Sequence, residues 1–385
     1  MKNDKICVYA ICKNESQFVD TWIQNMSEAD YICVLDTGST DDTLDLIKKW
    51  SDEFNNSGNK CKIFYDQKVI SPWRFDVARN ESMKLIPNDT DIYVCTDLDE
   101  VFEPEWADKL RNIWDSSKYD RADYLYTWSH RKNSENGRTF VYNKIHGHGW
   151  CWKFPVHECL CHDDTLSIDY DNTRSVWIDG LHLHHYPDQN KSRSSYLPLL
   201  EQRAKEYPDD YYGLIYLCHE YFYRGLYNES RDLINDIISR QDFDKLASVE
   251  KASCFLFMGD DYKSINKFPE AIECYLKAIE YDDTFREPYL KIASLYFEMH
   301  MYDVAISYAK TAIRKGVRHY SWLENDNSWS YEPYDILCLA SFYGGYKRDS
   351  LAYAYKAYSY DMENERLANN IKVIMENMSD SEIIS

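Results

Sequence analysis

Two acidic side chains, Asp97 and Asp99, directly follow a short apolar run in the stretch VCTDLDEVFEPEW. Carboxylates two positions apart at a strand end can direct oxygen atoms at one hard divalent cation, and such a cation neutralises a departing diphosphate. The alternative is a helix N-terminus, for which Glu103, Pro104 and Glu105 are typical residues. Since that helix is expected to begin near Pro104, the alternative leaves the two aspartates unexplained.

A run of histidines in DGLHLHHYPDQNKSR lies at another predicted strand end. One imidazole of this run could complete a metal site begun by Asp99, while the cations after it could hold phosphate groups. The sequence does not decide which imidazole does so. The residues concerned are His182, His184, His185, Lys191 and Arg193.

The segment HGHGWCWKFPVHECLCH combines histidines, cysteines and tryptophans. His157 and Glu158 could present a base near an acceptor, with the tryptophans as a wall. His157, Cys159 and Cys161 would share one face of a strand, so a zinc site is the alternative. The segment has no C-x-x-C pair and no second ligand pair, which favours the base.

Asp36 ends a predicted strand in the stretch VLDTGSTDDT. Its carboxylate could accept a hydrogen bond from a nucleotide base or a sugar hydroxyl, and Gly38 would let a ligand approach the backbone. The alternative is that Ser39 or Thr40 caps the following helix. A cap explains the hydroxyl residues and leaves Asp36 unexplained.

These residues fall at the ends of elements in an alternating series of strands and helices. Apolar runs rich in β-forming residues predict strands at 5–12, 31–38, 61–67 and 91–99, with helices between them. Such alternation predicts a mostly parallel sheet flanked by helices, in which ligands bind beyond the carboxyl ends of the strands. Arg79 lies on the third predicted helix, where composition favours a solvated position.

From about residue 195 the sequence changes to helices joined by short turns. The segment 268–283 recurs as 302–317, at a spacing of 34 residues that is typical of tetratricopeptide repeats. We therefore predict two domains, residues 1–194 and residues 195–385. A loop at 322–333 holds two tryptophans, which we expect to be exposed and which make the loop a candidate partner contact.

The 385-residue chain carries 65 acidic and 44 basic residues, a net charge of −21. This excess of negative charge disfavours nucleic acid as a partner. No apolar stretch reaches the roughly 18 residues of a membrane span, and the N-terminus has no signal-peptide pattern, so we expect a cytoplasmic protein. The 12 cysteines are scattered, which favours buried thiols over a disulfide framework.

Taken together, the motifs resemble the family 2 glycosyltransferases with a GT-A fold, specifically a bacterial branch with tetratricopeptide repeats behind the catalytic domain. The matching stretches are ICKNE, VLDTGSTDDT, RFDVARN, TDLDE, FPVHE and HHYPDQNKSR, followed by YLPLLEQRAKEYPDDYYGLIYLCHEYF. The resemblance implies an α/β, Rossmann-like nucleotide-sugar domain followed by an all-α repeat domain. It spans nearly the whole chain, and the branch includes transferases that glycosylate peptides.

The resemblance implies that several residues bind the nucleotide-sugar donor. Ile11 and Glu15 would line the nucleotide. Asp36 would meet the base or the ribose, and Arg79 would contact the base or the diphosphate. Lys191 would neutralise the departing diphosphate.

The resemblance also implies metal-binding and catalytic roles. Asp97 would face the ribose and the metal, while Asp99 would bind Mn²⁺ or Mg²⁺. His185 is the preferred further metal ligand. Glu158 is the first candidate for the base that deprotonates the acceptor, and His157 is the second.

These roles imply metal-dependent, inverting transfer of a sugar from a nucleotide-sugar, with a UDP-sugar as the favoured donor, to a hydroxyl or thiol group. Helical repeats suit extended peptides, so we expect a peptide or protein acceptor, and a homodimer through the repeats is a further expectation. Two alternatives stay open. One is a non-catalytic scaffold with a degenerate transferase domain, and the other is a transferase that acts on cell-surface glycan or lipid.

Overall fold

The structure is a computed structural model that describes residues 4–128, 138–162, 174–188 and 196–378. The chain forms two compact units, and the sequence passes from the first to the second between Tyr207 and Pro208. The first unit combines strands and helices, and the second is helical, as the sequence predicts. The domain boundary at 194 and 195 stays a prediction, because residues 189–195 lie outside the described residues.

Within the described residues, the first unit has one large sheet and one small sheet. The large sheet has the order β3-β2-β1-β4-β7-β6-β10-β5, and β8 pairs with β9. The first four of these strands run parallel, β10 runs parallel to β6, and the edge strand β5 runs antiparallel to β10. The strands are β1 (Ile6–Cys12), β2 (Tyr31–Asp36), β3 (Lys62–Gln67), β4 (Ile92–Cys95), β5 (Glu100–Phe102), β6 (Arg121–Trp128), β7 (Arg138–His146), β8 (Trp150–Lys153), β9 (Cys159–His162) and β10 (Ser175–His185).

The four strands predicted from apolar runs are confirmed as β1 to β4. Parallel strands covered on both faces read as nearly continuous apolar runs, and every residue of β1 is buried. Cys7 and Cys33 are fully buried in this sheet, as expected for reduced thiols in strands. The carboxyl ends of β1, β2 and β4 therefore lie at one edge of the sheet, where the sequence places its polar motifs.

Helices of the first unit pack on the sheet through large apolar side chains. Trp22 and Trp106 are fully buried, and Trp106 stacks on Phe102 with ring centroids 5.0 Å apart. The helix predicted to begin near Pro104 begins at Trp106, with Glu105 immediately before it, and the short strand β5, which was not predicted, lies between the aspartates and this helix. The helices are α1 (Ser16–Met26), α2 (Thr43–Asn56), α3 (Phe75–Met83), α4 (Trp106–Ile113) and α5 (Tyr196–Glu206).

The second unit consists of helices that pack as consecutive pairs, such as α8 with α9 and α10 with α11. The repeated alanines at a spacing of 34 residues, Ala271 and Ala305, are fully buried, which is what close helix packing requires. Gly259 also permits close helix packing, because a Cβ atom there would lie 2.4 Å from the ring of Tyr275. The helices are α6 (Tyr211–Tyr223), α7 (Tyr227–Ser239), α8 (Ser248–Ser264), α9 (Phe268–Tyr281), α10 (Arg286–Glu298), α11 (Tyr302–Arg314), α12 (Glu332–Tyr343), α13 (Lys347–Tyr358) and α14 (Glu365–Glu376).

The aromatic loop before α12 packs within the second unit. The guanidinium of Arg286 lies 3.6 Å from the ring centre of Trp329, and Trp322 stacks on Tyr216 with ring centroids 4.1 Å apart. The neighbouring Glu324 is buried. Both tryptophans are half-buried, held by these aromatic and cation–π contacts, so the expectation of two exposed tryptophans is wrong.

Glu287 in α10 provides a test of the repeat packing. It is 5% exposed, its Oε1 atom accepts the backbone N–H of Asn325 at 2.6 Å, and burial raises its pKa from 4.5 to about 7. Because the pKa of Glu287 is higher in the folded state, the unfolding free energy of the protein falls as pH rises from about 4.5 to about 7. Above the folded pKa the loss is complete. Glu287→Gln should therefore shrink the difference in unfolding free energy between pH 5 and pH 8 by about 2 kcal/mol.

Urea unfolding at the two pH values measures this difference. Glu270→Gln is the matched control, because that side chain is 45% exposed on α9. An unchanged pH dependence in Glu287→Gln would contradict the prediction.

Candidate active site

The D-x-D stretch follows β4 as a tight connection into β5. Leu98 is 3% exposed and belongs to the apolar core, so the two flanking carboxylates point elsewhere. The Oδ2 atom of Asp99 lies 3.0 Å from Nε2 of His185, and both side chains are largely buried. Burial works against a charged imidazole, but the hydrogen bond to Asp99 raises the pKa of His185 above its ordinary value.

The sheet geometry distinguishes the three histidines of β10. Successive side chains alternate between the two faces of a strand, so His185 lies on one face while His182 and His184 lie on the other. The structure brings only His185 of these three to Asp99 among the described contacts. A carboxylate oxygen and an imidazole nitrogen 3.0 Å apart are close enough to contact one divalent cation together.

Arg79 is buried at the centre of the site. Its Nη2 atom lies 2.9 Å and 3.2 Å from the two carboxylate oxygens of Asp97, and its Nε atom donates to Glu158. Its guanidinium also lies over the ring of Trp152, 5.2 Å from the centre. The expectation of a solvated position is wrong, because two carboxylates compensate the burial of this charge. Burial alone would raise the pKa of Asp97, but Arg79 and then Lys144 hold it well below its usual range.

Lys144 on β7 is a site residue that the sequence reasoning missed. Its Nζ atom lies 3.7 Å from Oδ2 of Asp97 and 4.9 Å from the ring centre of Tyr142. Burial opposes its charge, but Tyr142 and Asp97 keep the pKa of Lys144 well above its usual value. A period-two pattern was the available signal, because Tyr142, Lys144 and His146 alternate with other side chains in VYNKIH.

Glu100 holds the D-x-D connection in place. Its Oε2 atom accepts the backbone N–H of Asp97 at 2.9 Å, and its Oε1 atom accepts the hydroxyl proton of Tyr126 at 2.9 Å. The side chain is 1% exposed, and burial raises its pKa. Glu100 therefore orients the backbone that carries the two aspartates.

Replacing Glu100 should disturb this connection. The amide of Glu100→Gln has a single acceptor oxygen, so one of the two donors loses its partner, at a cost of about 1–3 kcal/mol in unfolding free energy. Turnover should fall about tenfold, because the aspartates lose their fixed orientation. Tyr126→Phe removes one donor instead and should cost less in both chemical unfolding and turnover assays. Equal losses in the two variants would contradict this role.

The loop that carries His157 and Glu158 is fixed on both sides. The side chain of Asn80 in α3 exchanges two hydrogen bonds of 2.8 Å with the backbone of Trp152. Arg203 in α5 is fully buried and donates to the carbonyl oxygens of Val156 and His157, at 2.9 Å and 2.7 Å. Trp150 and Trp152 are buried, and Trp152 lies beside Arg79, while their role as a wall for the acceptor stays a prediction.

The ends of β2 and β3 form a separate hydrogen-bonded group around Asp36. Asp36 is 1% exposed, and its Oδ1 atom accepts the backbone N–H groups of Gly38 and Ser39 and the side-chain amide of Gln67. Burial opposes ionisation, but these hydrogen bonds lower the pKa of Asp36. The carboxylate thus orders its own loop, and its contact with a nucleotide stays a prediction.

The remaining predicted site residues fall into two groups. Ile11 is 8% exposed and packs against Leu35 and Ala78, and Glu15 is 8% exposed at the start of α1. Lys191 lies outside the described residues. The structure therefore brings together Arg79, Asp97 and Glu158 as one group and Asp99 with His185 as a pair.

The zinc alternative at His157, Cys159 and Cys161 finds no support in the geometry. Within the ranges that the structure describes, the one group of three histidine, cysteine or acidic side chains with converging ligand atoms is elsewhere, at Glu103, His182 and His184.

Comparison with known families decides the identity of the first unit. Residues 7–162 match the model of glycosyl transferase family 2, and residues 259–299 match that of a TPR repeat. The first unit is a family 2 glycosyltransferase domain. The resemblance of the motifs to family 2 glycosyltransferases is thereby confirmed for this domain, and a TPR-like helical region follows it.

Solved structures similar to this glycosyltransferase include several repeat proteins. MamA protein is 19% identical over 44% of this chain and 83% of its own, with a TM-score of 0.33. A thermophilic TPR protein of Thermus thermophilus is 16% identical over 47% and 89%, with a TM-score of 0.36. The first TPR domain of human RPAP3 is 20% identical over 35% and 98%, with a TM-score of 0.30. No curated protein matches the chain.

Among the described residues, no helix has both the length and the apolar character needed to cross a bilayer.

Proposed function

We propose that this glycosyltransferase moves a sugar from a UDP-sugar to a hydroxyl or thiol group of a peptide or protein, with inversion at the sugar carbon and dependence on Mn²⁺ or Mg²⁺. The observation that carries the proposal is the paired arrangement beyond β4. Asp99 meets His185 there, and the adjacent Asp97 is held by Arg79. Asp99 and His185 would thus offer ligand atoms to a cation close to the positive charge that Arg79 holds at Asp97.

Asp99 and His185 would hold the cation, which when bound offsets the charge of the donor diphosphate. The chain itself supplies two further cations near this point, Arg79 and Lys144, both held close to Asp97. Because both side chains are buried and fixed before the donor arrives, they need little rearrangement as negative charge develops on the leaving group. Asp97 is kept ionised by these neighbours and can accept hydrogen bonds from a ribose.

Glu158 is the proposed base, and its contact with Arg79 defines the test of that role. Glu158→Gln keeps an oxygen that can accept the Arg79 N–H but cannot take a proton from the acceptor. A base role predicts a loss of kcat on the order of 10²-fold with little change in KM for the donor. If Glu158→Gln and His157→Gln lose kcat equally, both residues orient the site and neither is assigned as the base. If Glu158→Gln keeps full activity, the base role passes to His157.

The repeat unit supports a peptide or protein acceptor. Stacked helix pairs present an extended surface, a form that suits extended peptides. Large aromatic side chains such as Tyr223 and Tyr343, 67% and 59% exposed, are available on that unit for contacts of this kind.

Binding of the donor is the direct test of the proposed function. The full chain would be melted with a panel of nucleotide-sugars, each with Mn²⁺, with Mg²⁺ and with EDTA, because a ligand of the folded state raises Tm by mass action. We expect a UDP-sugar to raise Tm only with the cation present, and slow release of UDP without an acceptor. A panel in which no nucleotide-sugar shifts Tm or releases nucleotide would refute the proposal in favour of a non-catalytic scaffold.

A further inference from the structure

A second cluster of metal-ligating side chains lies at the edge of the large sheet. It consists of Glu103, His182 and His184, whose ligand atoms all lie within 4.8 Å of one another. The Oε1 atom of Glu103 is 3.6 Å from Nδ1 of His182 and 3.3 Å from Nε2 of His184. The mechanism proposed above uses none of these three residues.

Strand pairing explains why the three side chains converge. His182 and His184 are two positions apart on β10, so they share a face, and their rings are 4.0 Å apart. β10 pairs antiparallel with β5, and the backbone N–H of Glu103 donates to the carbonyl of His182 at 3.1 Å, which places Glu103 opposite that histidine. The cluster is thus built on paired backbone and not on a loose surface loop.

The distances fit a bound ion. In a tetrahedral site with ligand distances of about 2.1 Å, neighbouring ligand atoms lie about 3.4 Å apart. The two measured separations from Glu103, 3.3 Å and 3.6 Å, bracket that value and are long for strong charge-assisted hydrogen bonds. The side chains are 47%, 22% and 20% exposed for Glu103, His182 and His184, so water can reach a fourth position.

A neighbouring hydroxyl favours metal binding at His182. Thr127 on β6 is buried, and its Oγ1 atom lies 2.7 Å from Nε2 of His182 and 2.9 Å from Oγ1 of Thr139. Oγ1 can accept the Nε2–H of His182 and donate its own proton to Thr139. The Nδ1 atom then carries the lone pair, and outer hydrogen bonds of this type commonly orient metal-binding histidines.

We propose that Glu103, His182 and His184 form a site for a Zn²⁺-class transition-metal ion, separate from the Asp99–His185 pair. Two imidazoles and one carboxylate select Zn²⁺, Co²⁺ or Ni²⁺ over Mg²⁺ and Ca²⁺, which prefer oxygen ligands. The bound ion joins Glu103, the residue that follows edge strand β5, to β10, on the face opposite His185. The same two strands carry the connection from Asp99 and the side chain of His185, so the ion stiffens the frame of the transfer site.

Metal binding tests this inference without any nucleotide-sugar, so its failure leaves the proposed transfer standing. The full chain with Asp99→Asn serves as the parent, because this change removes one ligand of the other candidate site. We expect the parent to retain one Zn²⁺ after equilibrium dialysis and to give the visible absorption of tetrahedral Co²⁺. Adding Glu103→Gln or His184→Asn should weaken Zn²⁺ binding by about 100-fold or more, and Thr127→Val by about tenfold.

His148→Asn is the matched control, because that histidine is exposed and contacts the hydroxyl of Tyr93 instead. It should bind Zn²⁺ as the parent does. Circular dichroism and Tm confirm folding, and Glu103→Gln changes a side chain exposed enough to leave the fold intact. A parent that retains no Zn²⁺, or undiminished binding by both Glu103→Gln and His184→Asn, would overturn the inference.

Discussion

Asp99→Asn should reduce metal-dependent turnover by about 10³-fold, the largest loss of activity expected from a single change in this protein. The substitution keeps the size of the side chain but removes the charge that faces Nε2 of His185 at 3.0 Å. Loss of metal-assisted charge stabilisation by several kcal/mol corresponds to about this factor, at 1.4 kcal/mol per tenfold. Product formation at saturating donor, measured across a Mn²⁺ titration, gives both the rate and the apparent metal affinity.

The titration distinguishes a ligand from a structural residue. If Asp99 binds the cation, excess Mn²⁺ should recover part of the activity of Asp99→Asn, and the apparent metal affinity should be weaker than in the parent protein. Asp108→Asn is the matched control, because this carboxylate is 78% exposed on α4. Metal-dependent turnover by Asp99→Asn equal to that of the control would refute the assignment.

The first strand ends were predictable because local pattern is enough to locate them. A buried parallel strand is a continuous apolar run, so Asp36 and Asp97 could be placed at strand ends from the sequence alone. The repeat unit was predictable for a similar reason, since helices that pack closely need small residues such as Ala271 and Ala305 at a fixed spacing.

The partners of these residues were not predictable, because they depend on long-range pairing. Asp99 and His185 are 86 positions apart and meet only because β10 pairs with the short edge strand β5, which the sequence reasoning did not find. Lys144 was missed for a related reason. A lysine is usually exposed, and the alternation in VYNKIH does not show that β7 brings this side chain to within 3.7 Å of Asp97.

Arg79 shows the same limitation, and its removal should have the largest effect on stability. Composition favours an exposed position for an arginine on a helix, yet its side chain is 3% exposed between Asp97 and Glu158. Arg79→Met should lower the unfolding free energy by about 3 kcal/mol, because Glu158 is left as an uncompensated charge with 8% exposure. Loss of Arg79 should cost less at Asp97 than at Glu158, because Asp97 is 35% exposed and still has Lys144 at 3.7 Å.

Combined substitutions separate this electrostatic cost from lost packing over Trp152. If the uncompensated carboxylate is responsible, adding Glu158→Gln to Arg79→Met should restore part of the stability, while turnover stays low because the double variant lacks both a cation for the diphosphate and the proposed base. Arg174→Met is the matched control, since its ion pair with Asp120 is 51% exposed on the arginine side and should contribute at most about 1 kcal/mol. Urea unfolding of the parent, the two single variants Arg79→Met and Glu158→Gln, and the double variant gives the coupling. Additive losses in the double variant would show that Arg79 acts through packing and not through its charge.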